Sequence, residues 1–371
     1  VAHGGNPVRW RRLVISVLVV DDSALIRRVV TDALAEDAEI QIVGTAANGR
    51  IALEKIEALN PDLVTLDIEM PELDGLQTLR ALRRIRPRLP VIMFSTLTEV
   101  GATATLNALA LGASDYVTKP SNTGSFAASR RSVQEQLIPR IHALCRKPAA
   151  PAHPPAAPVA RPGPGKVARV DLVAIGCSTG GPDALTKLVS GLPATFPVPV
   201  VVVQHMPPVF TRMFAQRLDR QAPMQVVEAT DGVPVQPGCV YIAPGDQHLE
   251  VVRRGLAVRT RLHAGPPENF CRPAVDVLFR SVAAAYGGAV LALVLTGMGH
   301  DGQLGCAPLH AAGAEIVVQD QATSVVWGMP GSVATAGLAD AVLPLDRLGP
   351  HLVNRAAQGR GAQPKAVVSW R

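Results

Sequence analysis

Short β-branched and aliphatic runs alternate with helical periods along the first 145 residues. Runs at 17–20, 40–43, 63–66, 91–94 and 115–117 predict strands. Between them, apolar residues three and four apart predict helices over 24–34, 51–59, 76–85 and 101–111. Ser23 or Asp22 serves as N-cap of the first. A last segment places Val133, Leu137, Ile141 and Leu144 on one helical face. Five βα units predict a five-stranded parallel (βα)5 sheet covered on both faces. The alternation then resumes. Strands are predicted at 172–175, 198–203, 240–242, 290–295 and 315–318, and helices at 184–189, 213–221, 275–285 and 304–312. This is a second, doubly wound α/β domain.

Between the two patterns lies KPAAPAHPPAAPVARPGPGK, residues 147–166. Repeated proline removes backbone donors and fixes φ, so this stretch predicts a semi-extended linker. The expected organisation is a disordered leader (1–14), a first domain (15–146), the linker, a second domain (167–352) and a flexible tail (353–371). Hydrophobic residues make up 48% of the 371, enough for two cores and incompatible with global disorder. Aromatics are only 4% and the net charge only +6, so base stacking and a nucleic-acid footprint are both disfavoured. Five scattered cysteines form no C-x-x-C pair, which argues against a zinc site or a disulfide framework and for a reducing compartment. No apolar run reaches the ~18 residues of a membrane span. The run at 13–20 ends in Asp21 and Asp22, where a signal peptide needs small residues. A cytoplasmic protein, inserted in no membrane, is expected.

In open parallel sheets, chemistry gathers at the carboxyl ends of the strands. In the first domain those ends carry Asp21, Asp22, Asp67, Ser95 and Lys119. Three clustered carboxylates repel, and hard oxygen ligands of this kind suit Mg²⁺. A hydroxyl and an ammonium nearby suit an added phosphoryl group. Taken singly, each residue is equally a helix cap or a surface charge; their coincidence at four strand ends points to a site.

In the second domain, Gly176-Cys177-Ser178-Thr179-Gly180 follows the first strand and fits G-x-S-x-G, a turn that projects a serine hydroxyl. Backbone N–H groups beyond the serine can stabilise an oxyanion. Of the nine histidines, His205 lies just past a strand, as does Asp301. The favoured catalytic set is Ser178, His205 and Asp301. The order of an α/β-hydrolase would instead pair Asp246 or Asp276 with His300 or His351. The segment 297–302 also fits G-x-G-x-x-G with Asp320 further on, a dinucleotide pattern, although Asp301 would repel a pyrophosphate there. Cys177 reads as a buried neighbour of the serine rather than a nucleophile.

The strings LVVDDS (18–23), LDIEMPELDG (66–75), VIMFST (91–96) and GASDYVTKP (112–120) resemble the response-regulator receiver domain. That resemblance implies that Asp67 accepts a phosphoryl group from a histidine kinase. It implies that Asp21, Asp22 and Asp67 hold Mg²⁺, that Ser95 and Lys119 contact the phosphoryl group, and that Tyr116 changes rotamer on activation. Segments 176–182, 204–208, 240–246, 272–279, 295–302 and 319–330 resemble the catalytic domain of the chemotaxis protein-glutamate methylesterases, the CheB family. Together the two resemblances span residues 15–348; His300 stands where a small or polar residue is expected.

The second resemblance implies a carboxylic ester hydrolase acting on glutamyl methyl esters of chemoreceptors, releasing methanol and also deamidating receptor glutamines. Ser178 would attack, His205 would act as base and Asp301 would orient it, while the backbone at Met298 and Thr179 would form the oxyanion hole. No cofactor is expected in this second site. The unphosphorylated receiver is expected to restrain the esterase, which a long linker permits because effective concentration falls only slowly with its length. A monomer is expected. Two other readings are a scaffold with a dead catalytic domain and a receiver with a DNA-binding output. The complete Ser-His-Asp set opposes the first, and the lack of a helix-turn-helix pattern after Lys166 opposes the second.

Overall fold

The computed structural model describes residues 14–120, 125–145 and 169–358. It divides into two compact units. The leader up to residue 13, the whole of the linker and the end of the tail lie outside the described residues.

In chain order, the described residues up to Cys145 run β1 (Ile15–Val20), α1 (Ala24–Leu34), β2 (Ile40–Ala46), α2 (Gly49–Leu59), β3 (Leu63–Asp67), α3 (Gly75–Ile85), β4 (Val91–Ser95), α4 (Glu99–Ala110), β5 (Asp115–Thr118) and α5 (Phe126–Cys145). Their strands form one parallel sheet in the order β2-β1-β3-β4-β5. Strands β3 and β4 are buried along their whole length, as near-continuous apolar runs inside a parallel sheet should be. The Ser23 side chain caps α1, accepting from the Ile26 N–H, and Asp74 with Gln77 forms a capping box on α3. Of the four predicted residues of α5, Val133, Leu137 and Ile141 are fully buried against α1 and the sheet, and Leu144 is partly buried.

The second unit runs β6 (Leu172–Cys177), α6 (Gly181–Ser190), β7 (Val200–Gln204), α7 (Pro208–Gln221), β8 (Gln225–Glu228), β9 (Cys239–Ile242), β10 (His248–Arg254), β11 (Ala257–His263), α8 (Val275–Tyr286), β12 (Val290–Val294), α9 (Gln303–Ala311), β13 (Glu315–Gln319), α10 (Met329–Thr335), β14 (Ala341–Leu343) and α11 (Leu345–Ala357). Seven strands form a parallel sheet in the order β14-β13-β12-β6-β7-β9-β8, and β10 with β11 makes a separate antiparallel hairpin.

The expected architecture is present, with additions. The edge strands β8 and β14 and the β10–β11 hairpin were not predicted. They are short or half-exposed, so their alternation is weak. Residues 353–357, expected in a flexible tail, are helical instead. Helix α11 continues to Ala357 because Leu352 and Ala356 are buried.

Both sheets contain a reversal of strand order. In the first, the chain leaves β1 toward β2 on one side and β3 on the other. In the second, β6 is flanked by β7 and β12. Such reversals open a crevice at the carboxyl ends of the strands.

Candidate functional sites

In the first unit the crevice holds the predicted cluster. Asp21 and Asp67 are almost completely buried, and Ser95 is buried at the end of β4. Lys119 Nζ lies 3.1 Å from Asp21 Oδ2 and 2.8 Å from Asp67 Oδ2. The Lys119 N–H donates to the Ser95 carbonyl at 2.7 Å, tying the ends of β4 and β5 together. Burial, reinforced by the Asp21 charge, overrides the lysine and pushes the Asp67 carboxyl up to about 6. Burial likewise raises Asp21, while Lys119 opposes it. The Lys119 ammonium is itself held up: burial opposes its charge, but Asp67 and Asp21 outweigh that cost. One oxygen from each of Asp21, Asp22 and Asp67 lies within 4.8 Å of the others. This all-carboxylate set fits a hard divalent cation such as Mg²⁺. Tyr116 is buried, with its hydroxyl held strongly toward the protonated form by desolvation.

In the second unit, three adjacent strands deliver the three predicted residues. Ser178 follows β6, His205 follows β7 and Asp301 lies in the loop after β12. Ser178 and His205 stand one residue beyond the register pair Cys177–Gln204. The Gln204 side chain reinforces the corner, because its Nε2 donates to the carbonyls of Ser178 (3.0 Å) and His205 (3.3 Å). The left-handed residue of the strand-to-helix turn is Gly180 (φ +77°), so the serine itself carries no backbone strain. The loop after β12 presses on the serine. A Cβ on Gly297 would lie 2.9 Å from Ser178 Cβ and 2.3 Å from Met329 Sδ, so only glycine fits. Ser178 N–H donates to the Thr296 carbonyl at 3.0 Å, and the Thr296 hydroxyl donates to the Thr179 carbonyl at 2.9 Å. The Met298 N–H, in this same loop, makes no hydrogen bond among the described residues.

His205 Nε2 lies 2.8 Å from Asp301 Oδ2. Asp301 is held by four further donors: the N–H groups of Val275 (2.7 Å), Asp276 (3.0 Å) and Gly302 (3.0 Å), and Asn269 Nδ2 (3.0 Å). Two of these come from the first residues of α8, where the helix dipole also favours an anion. Burial would raise the Asp301 carboxyl, but His205 and the backbone donors outweigh it and hold it near 2. Burial disfavours the His205 imidazolium, yet its bonds to Asp301 and Cys271 leave it held above the ordinary histidine value. Asp301 occupies Nε2, so Nδ1 is the ring nitrogen left for proton transfer. That nitrogen lies 3.5 Å from Cys271 Sγ.

The alternative pairings do not assemble. Asp246 is engaged by Arg272, whose Nε lies 2.9 Å from Oδ1; His351 lies 2.8 Å from Glu315; and His300 is exposed. Asp276 lies beside Asp301. Its Oδ1 accepts from the N–H groups of Gly302 and Gly305, and Asn269 Nδ2 bridges both carboxylates. Burial and the Asp301 charge raise the Asp276 carboxyl, with the Gly305 N–H opposing. Cys177 is buried, its thiol strongly raised by desolvation, as a packed neighbour should be. Sequence reasoning missed Asn269 and gave Cys271 no role. Each stands on a loop just before the segment 272–279, whose resemblance was noted, and nothing in their spacing marks them.

A carboxylate–lysine crevice on one parallel sheet and a serine–histidine–aspartate set on another define a receiver-bearing signalling hydrolase. Residues 17–129 match the response regulator receiver domain and residues 173–352 match the CheB methylesterase. A protein-glutamate methylesterase/protein-glutamine glutaminase of Nocardioides sp. is 56% identical over 354 residues, covering 93% of this chain and 96% of the relative. One of the same name from Trichodesmium erythraeum is 50% identical over 345 residues, covering 91% of this chain and 98% of the relative. The crystal structure of the Thermotoga maritima CheB methylesterase catalytic domain is 44% identical, covering 50% of this chain and 98% of that one, with a TM-score of 0.49. The chain belongs to the CheB family of protein-glutamate methylesterases/protein-glutamine glutaminases.

Proposed function

We propose that this chain is a phosphorylation-regulated hydrolase that removes methyl groups from glutamyl γ-methyl esters of chemoreceptors and deamidates receptor glutamines. The observation that carries the reading is the His205–Asp301 pair, which follows the two strands that flank β6, the strand that leads to Ser178. Ser178 Oγ attacks the ester carbonyl while His205 takes its proton, at Nδ1. Asp301 fixes the tautomer through Nε2 and stabilises the imidazolium. The nitrogens are used in the reverse sense to the serine-protease arrangement, in which the base is Nε2. The Met298 N–H, with the Thr179 N–H, receives the oxyanion. His205 returns its proton to the methoxide oxygen, and methanol leaves. Water, deprotonated by His205, then attacks the acyl carbon; the bond to Ser178 Oγ breaks, His205 returns the proton to that oxygen, and the glutamate side chain is released.

Asp67 is the phosphoryl acceptor, with a histidine kinase as donor. Its carboxylate oxygen attacks phosphorus as the P–N bond to the kinase histidine breaks. Asp21, Asp22 and Asp67 would hold Mg²⁺, which when bound offsets the charge that gathers there. Ser95 and Lys119 meet the added group, which carries roughly −1.5 to −2 charge by analogy with other phosphoryl groups. Tyr116 and the segment around Ser95 respond to it, and the receiver's restraint on the esterase is released. No helix among the described residues is long and apolar enough to cross a membrane, in keeping with an enzyme that reaches receptors from solution.

The test is methanol release from methylated receptor membranes, with and without acetyl phosphate and Mg²⁺. Wild type, Ser178→Ala and Asp67→Ala are compared. Release that needs Ser178, and that rises with phosphodonor only when Asp67 is present, is the expected result. Equal release from Ser178→Ala would overturn the mechanism, and phosphodonor stimulation of Asp67→Ala would overturn the regulation.

A further inference from the structure

Cys271 has no part in the mechanism above, yet it sits against the catalytic base. Its Sγ is 3.5 Å from His205 Nδ1, and His205, Cys271 and Asp301 bring ligand atoms within 4.8 Å of one another. A tight turn fixes the thiol. Glu268 and Cys271 exchange N–H···O bonds of 3.1 and 2.8 Å, and the two residues between them, Asn269 and Phe270, are both left-handed (φ +51° and +62°). Asn269 is tied in turn to Asp276 and Asp301. Both Cys271 and His205 retain solvent access.

We propose that Cys271 and His205 form a binding site for zinc or a similar thiophilic divalent cation, and that the bound ion switches the esterase off. The separation fits without movement. With Zn–S near 2.3 Å and Zn–N near 2.0–2.1 Å, a tetrahedral ion spans sulfur and nitrogen at about 3.5–3.6 Å. The outer shell is also in place. A metal-bound imidazole characteristically gives its other N–H to a carboxylate, and His205 Nε2 already bonds Asp301, itself held by four further donors. Binding replaces the thiol proton, which goes to solvent, with a metal–sulfur bond, and water completes the coordination. The Nδ1 lone pair that takes the Ser178 proton then becomes the one donated to the ion. Hydrolysis stops without any change of fold.

The inhibitory half rests on the function proposed above; the binding half does not, so the two are measured separately. Full-length protein is titrated with Co²⁺ and the near-ultraviolet thiolate-to-metal charge-transfer band is followed. The other candidate clusters, Asp21-Asp22-Asp67 and Asp37-Glu39-His142, contain no sulfur and give no such band. A band in wild type and Ser178→Ala that is absent from Cys271→Ala is expected. In parallel, Zn²⁺ should reduce methanol release at least tenfold, reversibly with a chelator. Cys271→Ala, compared with its own zinc-free rate, should need at least about tenfold more zinc for half-inhibition. No band in wild type, or a band that survives in Cys271→Ala, overturns the site. A Cys271-dependent band with undiminished hydrolysis overturns the claim that the ion takes the base's lone pair. A Cys271-dependent band in a protein that releases no methanol at all supports the site and refutes the esterase reading instead.

Discussion

Asp67 and Asp301 stand at equivalent places in two parallel sheets, each nearly sealed from water (1% and 2% exposed) beside a strand-order reversal. Their surroundings are opposite. Asp67 faces a second buried carboxylate and a single shared ammonium, and its acidity is weakened to about 6. Asp301 accepts from four neutral N–H donors and an imidazole, and its acidity is strengthened to about 2. The first crevice is left short of positive charge, so a cation and a phosphoryl group can change its state. The second is saturated, so its geometry is fixed before substrate arrives. Such preorganisation serves catalysis, whereas a switch needs a site with unequal states close in energy.

The sharpest way to break this contrast is Asp301→Asn. An amide cannot accept every donor that surrounds it, and it removes the charge facing the imidazolium. Hydrolysis should fall about 10⁴-fold, and stability should drop by about 1–3 kcal/mol from unpaired buried donors. A melting curve and a methanol assay on the same sample check both. A fall under tenfold would mean that His205 is not oriented from Asp301.

The two carboxylates also give opposite pH signs. With Asp67 as the proposed phosphoryl acceptor, only its ionised form would attack phosphorus, so without saturating Mg²⁺ phosphorylation by acetyl phosphate should fall about tenfold per pH unit below about 6. Added Mg²⁺ should move that midpoint down, since it favours the carboxylate. For stability, folded Asp67 binds a proton that the unfolded chain releases between 3.8 and about 6. Its contribution therefore declines as pH rises through that window. Asp301 contributes stability above 3.8 and loses it as pH falls toward about 2. Phosphorylation that stays flat down to pH 5 would show that Asp67 is not destabilised.

Asn269→Ala removes the amide that bridges Asp276 and Asp301 but leaves the three backbone donors. Turnover should drop about tenfold, equivalent to ~1.4 kcal/mol, chiefly in kcat rather than KM. A KM effect alone would place Asn269 in substrate binding. The smallest effect is expected from Asp67→Asn. Relieving repulsion with Asp21 should raise the receiver's melting temperature by a few degrees in chelator, a gain that shrinks when Mg²⁺ is added back to both proteins. A lower melting temperature would mean that the Asp67–Lys119 pair outweighs the repulsion.

The sequence by itself determined the two-domain α/β plan. Buried parallel strands are apolar end to end, and such runs stand out from the helical periods between them. It also placed Asp21, Asp22, Asp67, Ser95, Lys119, Ser178, His205 and Asp301 at strand ends, because in this architecture the residue after a strand is already at the crevice. Strand order was not legible, since pairing depends on which apolar faces meet across the sheet rather than on local pattern. The sequence therefore left two hydrolase orders open. Only the tertiary structure put β12 next to β6, brought Asp301 rather than Asp246 to His205, and assigned Nε2 to that carboxylate. Only the structure, too, set Asn269 and Cys271 beside residues 32 and 66 positions away. Local propensity carries no record of such contacts, because they are made by a loop whose course is fixed by what it packs against.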